Sequence, residues 1–291
     1  MQHRLVDQPN LALQLQSLLP FFAEHDIGPN NMRLRAYRDF AEDLATGASA
    51  SYEAAHFAAL HKELHELTFV FTTLRQMKAA IPSELLRKCF TGEAIATGDP
   101  ESDRGRTYLL QLRAALYFLL ANYSILLDQE CDLIAQRGRV RFFVECKRLY
   151  SVRKVCLRLR EASNQIVSRF KTAPRFRGLS RGIAWLDPSP ILQQHFDIYS
   201  TYSRAGAGDA ARRDLFEFHR TSVVPCRRVD DKRIIGLVLQ YLWPSLTRRD
   251  EPVVTGFTTL VLPSNREIGL LDSWRMGRLY RSFLPLNVVQ E

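Results

Sequence analysis

Residues 108–123 are apolar on nearly every side. Leu109, Leu110, Leu112, Leu116, Tyr117, Phe118, Leu119 and Leu120 leave Gln111 and Arg113 as the main polar members. A helix with no polar face has to be buried, so this segment predicts a helix covered by other elements. The period then changes. Residues 124–127 read as a short strand, and 132–148 as two strands joined by a turn around Gly138. From Val152 onward, Val155, Cys156, Leu159, Ala162, Ile166, Val167 and Phe170 recur at three- and four-residue steps, which is one face of a helix. Residues 183–186 form a further strand, ended by Asp187 and Pro188. The order is helix, strand, strand, strand, helix, strand.

The 132–148 stretch carries the chemistry. Asp132 opens its first strand, and Glu145 and Lys147 close its second. Side chains alternate along a strand, so Glu145 and Lys147 share one face while Val144 and Cys146 take the other. Charged groups at the end of an apolar strand are costly to bury without partners. Carboxylates on adjacent strands can hold Mg²⁺, a hard ion that prefers oxygen ligands. Such an ion polarises a phosphoryl oxygen and acidifies a bound water; a nearby lysine can orient that water or offset charge in the transition state. Asp132 and Glu145 are therefore the candidate metal ligands and Lys147 the electrostatic group. Asp128 and Glu130 compete with Asp132, which is preferred because Leu133 and Ile134 follow it at once. The opposing reading makes Glu145 and Lys147 an edge-strand ion pair and Asp132 a turn residue.

Charge is unevenly placed along the chain. The formal balance is +9, yet residues 137–181 hold 14 Lys and Arg against only Glu145 and Glu161, a local +12. The remainder, with 26 of the 40 basic and 29 of the 31 acidic residues, is slightly negative. Focused positive charge favours a polyanionic partner; the plain alternative is a solvated helix face. Lys154, Arg158, Glu161 and Gln165 form a line on the flank of the second helix, where they could look toward Glu145 and Lys147. Arg148, Lys154 and Arg158 are the candidate nucleic-acid contacts, and Gln165 a further candidate catalytic residue.

Taken together, these residues resemble the restriction-endonuclease-like superfamily, the PD-(D/E)XK nucleases, with Asp132 and Glu145-Cys146-Lys147 as the signature. The resemblance covers roughly a third of the chain. It implies an α/β restriction-endonuclease-like core and a Mg²⁺ (or Mn²⁺) ion held by Asp132, Glu145 and the backbone carbonyl of Cys146. It also implies hydrolysis of nucleic acid, DNA before RNA, and a polar residue near Gln165. The chain departs from the pattern in three places. Cys131, not proline, precedes Asp132; Gln111 stands where many relatives place a glutamate on the first core helix; and Arg169 replaces the tyrosine of some exonuclease branches. The neutral Gln111 puts a second metal in doubt and leaves room for a catalytically silent module of the same fold that binds nucleic acid or protein.

The rest of the chain frames this core. Residues 1–100 read as a helical region: a leucine-rich stripe from Leu11 to Phe22, a second helix over 33–44 closed near Gly47, and a third capped by Ser51 and running toward Leu60. A long core-facing helix through Leu64 and Leu74 follows, then a short one with Ser83 as cap. A loop with Gly98, Asp99 and Pro100 separates it from a nuclease-like domain over 101–291. That domain ends with a Gly/Ala turn at 205–208, a helix through Leu215 and Phe218, strands over 234–243 and 253–262, and a helix over 274–283. The helical region is a candidate surface for a homodimer or protein partner.

Several motifs fail on context. Gly178-Leu179-Ser180-Arg181-Gly182 matches G-x-S-x-G, but a nucleophile elbow needs a strand before it and a helix after it. His61 and His65 are spaced i, i+4, yet the acid between them is Glu63, so the zinc-protease pattern is absent. Five cysteines without a C-x-x-C pair argue against a disulfide framework and suit a reducing compartment. No signal-peptide core or membrane-length apolar run is seen, so cytoplasmic residence is expected.

Overall fold

The computed structural model describes residues 8–48, 52–127, 132–173, 176–195, 199–201, 204–226, 231–247, 254–264 and 269–283. Four helices come first: α1 (Gln8–Glu24), α2 (Met32–Thr46), α3 (Ala54–Gln76) and α4 (Ser83–Lys88). The Asn31 side chain caps α2 by accepting from the Leu34 N–H, and Gly47 at φ 78° ends it in the left-handed region that favours glycine. The two helices expected around Leu60 and Leu74 are one continuous α3. Ser51 lies outside the described residues. Ser83 sits inside α4, whose cap position is Pro82 with no side-chain bond.

The buried helix is α5 (Arg104–Leu120), followed by β1 (Ser124–Leu126), β2 (Leu133–Arg137) and β3 (Val140–Arg148). A 3₁₀ turn leads into α6 (Val155–Thr172), and β4 (Leu179–Asp187) closes the helix-strand-strand-strand-helix-strand order read from the sequence. Then come α7 (Ser189–His195), β5 (Tyr199–Thr201), α8 (Arg204–Phe218), β6 (Ile234–Thr247), β7 (Val254–Pro263) and α9 (Leu270–Phe283). Residues 205–208, expected as a turn, open α8. Ser180 lies within β4 rather than at a strand-to-helix turn, so the G-x-S-x-G match carries no elbow.

The strands form one mixed sheet ordered β1-β2-β3-β4-β6-β5, with β7 paired to β6. β1, β2 and β3 make an antiparallel meander; β3, β4 and β6 run parallel. Alternation along β4 places Ile183 and Trp185 in one apolar cluster with α5 and α9, and Ala184 and Leu186 in another with α6 and α8. The sheet is thus covered on both faces. The helix α5 serves two cores: Leu110, Tyr117 and Phe118 pack on the sheet, while Leu109, Leu112 and Leu116 join the cluster of α1–α4. Among the described residues no helix is long and apolar enough to cross a membrane.

One finding corrects the sequence reading. Cys156 in the first turn of α6 and Cys226 beyond α8 form a disulfide, their Cα atoms 4.9 Å apart. Their 70-residue separation leaves no local spacing to read. Cys89 and Cys146 are buried and belong to no disulfide, while Cys131 lies outside the described residues.

The middle of the core-facing helix α3 carries charge. His61, Lys62, Glu63, His65 and Glu66 are all buried, because α3 passes between the helical layer and the sheet. Each flank of the helix finds polar partners. His61 Nδ1 lies 3.0 Å from the Thr255 hydroxyl, and Lys62 donates to Gln193 at 2.5 Å. Glu63 accepts from Arg106 at 2.6 and 2.9 Å and from the Tyr37 hydroxyl at 2.7 Å. Glu66 accepts from Arg113 at 2.7 Å.

Burial, with His65 adding a smaller effect, drives His61 down to about 3. The unfolded chain therefore takes up a proton at this imidazole, from about pH 6.5 downward, that the folded protein refuses until about pH 3. Stability contributed by His61 is lost as pH falls through that window. Urea denaturation should show a shallower acid-dependent loss between pH 6.5 and 4 for His61→Gln than for the wild type. Equal slopes would refute the assignment.

Candidate functional site

Gly138 adopts φ 58°, the conformation a tight hairpin turn requires, and sets the β2–β3 register. Leu133 pairs with Val144, so continuing the ladder by one residue brings Asp132, in a bend just before β2, opposite Glu145. Phe143 packs with Ile166 of α6, whereas Phe142, Val144 and Cys146 face α5. Glu145 and Lys147 thus emerge on the α6 face, as alternation predicted.

The Asp132 carboxylate is held from two sides. Gln111 Nε2 on α5 donates to Oδ1 at 2.5 Å, and the backbone N–H of Cys146 donates to Oδ2 at 2.7 Å. Lys147 Nζ donates to Glu145 Oε1 at 2.8 Å, with the lysine side chain 18% and the glutamate 5% exposed. Asp132 and Glu145 are also close enough for a direct side-chain hydrogen bond. Two acids in that relation need a proton or a cation between them. Burial first, and then the negative charge of Glu145, push Asp132 up to about 7, against the opposing pull of Lys147 and the Cys146 N–H.

Backbone direction completes the donor set. Leu149 donates its N–H to Asp187 O and Arg139 accepts from Leu179, so odd-numbered residues turn their backbone groups toward β4. Cys146 turns its own toward Asp132, and its carbonyl leaves the strand on the same edge as its N–H. Two carboxylates and a peptide carbonyl are hard oxygen donors. They fit Mg²⁺ or Mn²⁺, which bind through one or two carboxylates and keep several waters. Among the described residues no group of three His, Cys, Asp or Glu side chains gathers, so the remaining positions around such an ion would fall to backbone oxygen and solvent.

The other expected residues are placed differently. Gln165 is exposed on α6, and among the described residues no hydrogen bond joins it to Glu145 or Lys147. Lys154 is exposed at the start of α6, and Arg158 is bound to Glu161 at 2.7 Å. Arg148 is a correction. It is 6% exposed and faces Asp187 at 3.7 Å, so it cannot lie along a nucleic-acid backbone. Asp187 also meets Arg113 at 3.1 Å, and these three charges brace the ends of β3 and β4 against α5.

The basic surplus divides in space. Arg153 and Lys154 are exposed just before α6, in the turn that follows β3, and Arg160 is exposed in its second turn. Arg137, Arg139 and Arg177 are exposed at the opposite end of the sheet, roughly 17 Å along β2 from Asp132 at the rise of an extended strand. Arg169 is buried. Asp128 and Glu130 lie outside the described residues.

Sequence reasoning missed what stands on the far side of Asp132. A cavity of about 440 Å³ opens there between α4 and α5, lined among others by Lys88, Tyr108, Gln111 and Asp132. Lys88 belongs to a short helix with no periodic or motif signal, and Tyr108 reads in the sequence as the edge of an apolar helix. Compared with family models, with curated proteins and with solved structures, the chain gives no match.

Proposed function

We propose that this chain is a metal-dependent nuclease with a restriction-endonuclease-like core that hydrolyses phosphodiester bonds of nucleic acid, DNA before RNA. The observation that carries the reading is the pair Asp132 and Glu145, within hydrogen-bonding reach at the ends of neighbouring strands, with Lys147 on one of them. The element order from α5 to β4 and the exposed cations opening α6 support it.

Asp132, Glu145 and the Cys146 carbonyl would hold Mg²⁺ or Mn²⁺, which supplies Lewis-acid polarisation of the phosphoryl oxygen and a more acidic water. The chain's own residues do the rest. Gln111 and the Cys146 N–H fix the Asp132 carboxylate in one orientation. Lys147, anchored on Glu145, brings a positive charge to the place where charge develops on the phosphoryl oxygens. The exposed start of α6 would receive flanking phosphates.

One observation favours a second reading, a silent module that binds without cutting: the helix α5 brings a neutral amide, Gln111, to the acids where a further carboxylate would add charge. Incubation with plasmid and single-stranded DNA in Mg²⁺ or Mn²⁺, beside an EDTA control, separates the two. Cleavage abolished by EDTA supports the nuclease; binding without cleavage supports the silent module.

Metal and proton should compete at Asp132. Because its carboxyl is raised to about 7, the folded protein holds a proton there that the unfolded chain has released above its ordinary value of 3.8. Without metal, stability from this group is lost as pH rises between those values. Mn²⁺ affinity, followed by electron paramagnetic resonance, should weaken by on the order of tenfold per unit below pH 7 as that proton must leave. Affinity independent of pH between 5.5 and 7 would rule this out.

A further inference from the structure

The cavity between α4 and α5 has a composition that the nuclease reading alone does not require. Its volume of about 440 Å³ lies within the usual range for small-ligand sites. Asp132 and Gln111 both line it, and the Gln111 amide donates to the Asp132 carboxylate at 2.5 Å. The half-buried ring of Tyr108 also lines it, with Lys88 Nζ over the ring at 5.6 Å from its centroid, where an incoming base would displace it. Leu85 and Leu127 complete an apolar side. Lys88 is 41% exposed and is held by Glu84 at 2.6 Å, a surface pair that a stronger anion can displace.

These groups match the parts of a nucleotide. An aromatic ring offers a stacking platform for any base. A primary amide can hydrogen-bond a base edge, an ammonium can meet a phosphate, and apolar walls suit a sugar and base face. The arrangement is continuous with the candidate metal-binding acids, because Asp132 belongs to both. A phosphodiester lying at Asp132 and Glu145 would therefore have an adjoining nucleoside at the mouth of this cavity.

Resting on the nuclease reading, we infer that the cavity is a nucleoside subsite: it receives one unstacked base next to the scissile phosphate, with Tyr108 as stacking platform and Lys88 as phosphate contact. A base inside a duplex is stacked and paired, and drawing it out costs free energy that a single strand does not incur. The substrate class that follows is single-stranded nucleic acid, or a frayed end.

Two experiments on the full chain test this separately from the activity. In the first, without metal, each deoxynucleoside 5′-monophosphate is tested by saturation-transfer NMR against wild type, Tyr108→Leu and Tyr108→Phe. Transfer to base protons that is lost in Tyr108→Leu and kept in Tyr108→Phe is expected. No transfer to wild type, or equal transfer to Tyr108→Leu, overturns the subsite even if the protein cleaves DNA. In the second, with Mn²⁺, an oligonucleotide is offered single-stranded and as a duplex. Single-strand preference and a drop of about tenfold or more in kcat/KM for Tyr108→Leu are expected, with Mn²⁺ affinity unchanged. Ring-dependent mononucleotide binding without any cleavage would keep the subsite and discard the nuclease. Cleavage with duplex preference, and no effect of Tyr108→Leu, would keep the nuclease and discard the subsite.

Discussion

Replacing Lys147 by alanine is expected to lower the turnover of DNA cleavage by on the order of 10²–10³-fold, the usual cost of removing one charge-stabilising donor from a reacting centre. Lys147 touches the candidate ligand Glu145 at 2.8 Å and is partly exposed, so its loss removes a cation from the centre without opening the core. Mn²⁺ should still bind, because Asp132, Glu145 and the Cys146 carbonyl remain. Glu145→Gln keeps the shape and removes the charge, and should weaken Mn²⁺ binding as well as turnover. The split between the two variants is the informative readout: turnover alone for Lys147, metal and turnover for Glu145. Equal cleavage by wild type and Lys147→Ala would sink the mechanism.

The second large effect is on stability. Glu63 lies on α3 with its side chain 5% exposed, between Arg106 at 2.6 Å and Arg33 at 3.8 Å. Burial pushes its carboxyl up, but the charges of Arg106 and Arg33 outweigh that and hold it at about 2. Glu63→Gln preserves the volume but removes the carboxylate that Arg33 and Arg106, each 1% exposed, share, leaving Arg106 with Asp103 alone at 3.2 Å. Breaking a buried pair in this way costs roughly 3–5 kcal/mol. Urea unfolding should therefore show a lower midpoint with little change in slope. A loss below about 1 kcal/mol, the range of an exposed pair, would mean that water reaches this network.

The order of elements from α5 to β4 was legible because each follows from local pattern. Apolar residues all round α5, alternation in β2 and β3, Gly138 between them, and three- and four-residue steps in α6 are properties of consecutive residues. The same holds for Asp132, Glu145 and Lys147, since strand alternation and a two-residue hairpin suffice to bring them to one end. Gln111, which the family resemblance sets at the place of a further acid on α5, reaches Asp132.

What failed did so for lack of a partner in the sequence. The Gly/Ala run at 205–208 has the composition of a turn, and only packing of Ala207 and Ala211 into the core makes it helix. His61, Glu63 and Glu66 find their partners Thr255, Arg106 and Arg113 in segments far along the chain, which no local pattern names. Arg148 looked like a phosphate contact because it adjoins Lys147; alternation sends it to the opposite face, where Asp187 waits.

The sequence by itself determined the local elements and the three charged residues at the hairpin's open end, because strand and helix periods are written in neighbouring residues. The tertiary structure alone decided which charges are buried, that Cys156 meets Cys226, and that Lys88 and Tyr108 open a cavity beside Asp132. The physical reason is range. Backbone geometry acts over a few residues, whereas burial, ion pairing and cavity shape depend on which distant segments the fold packs together.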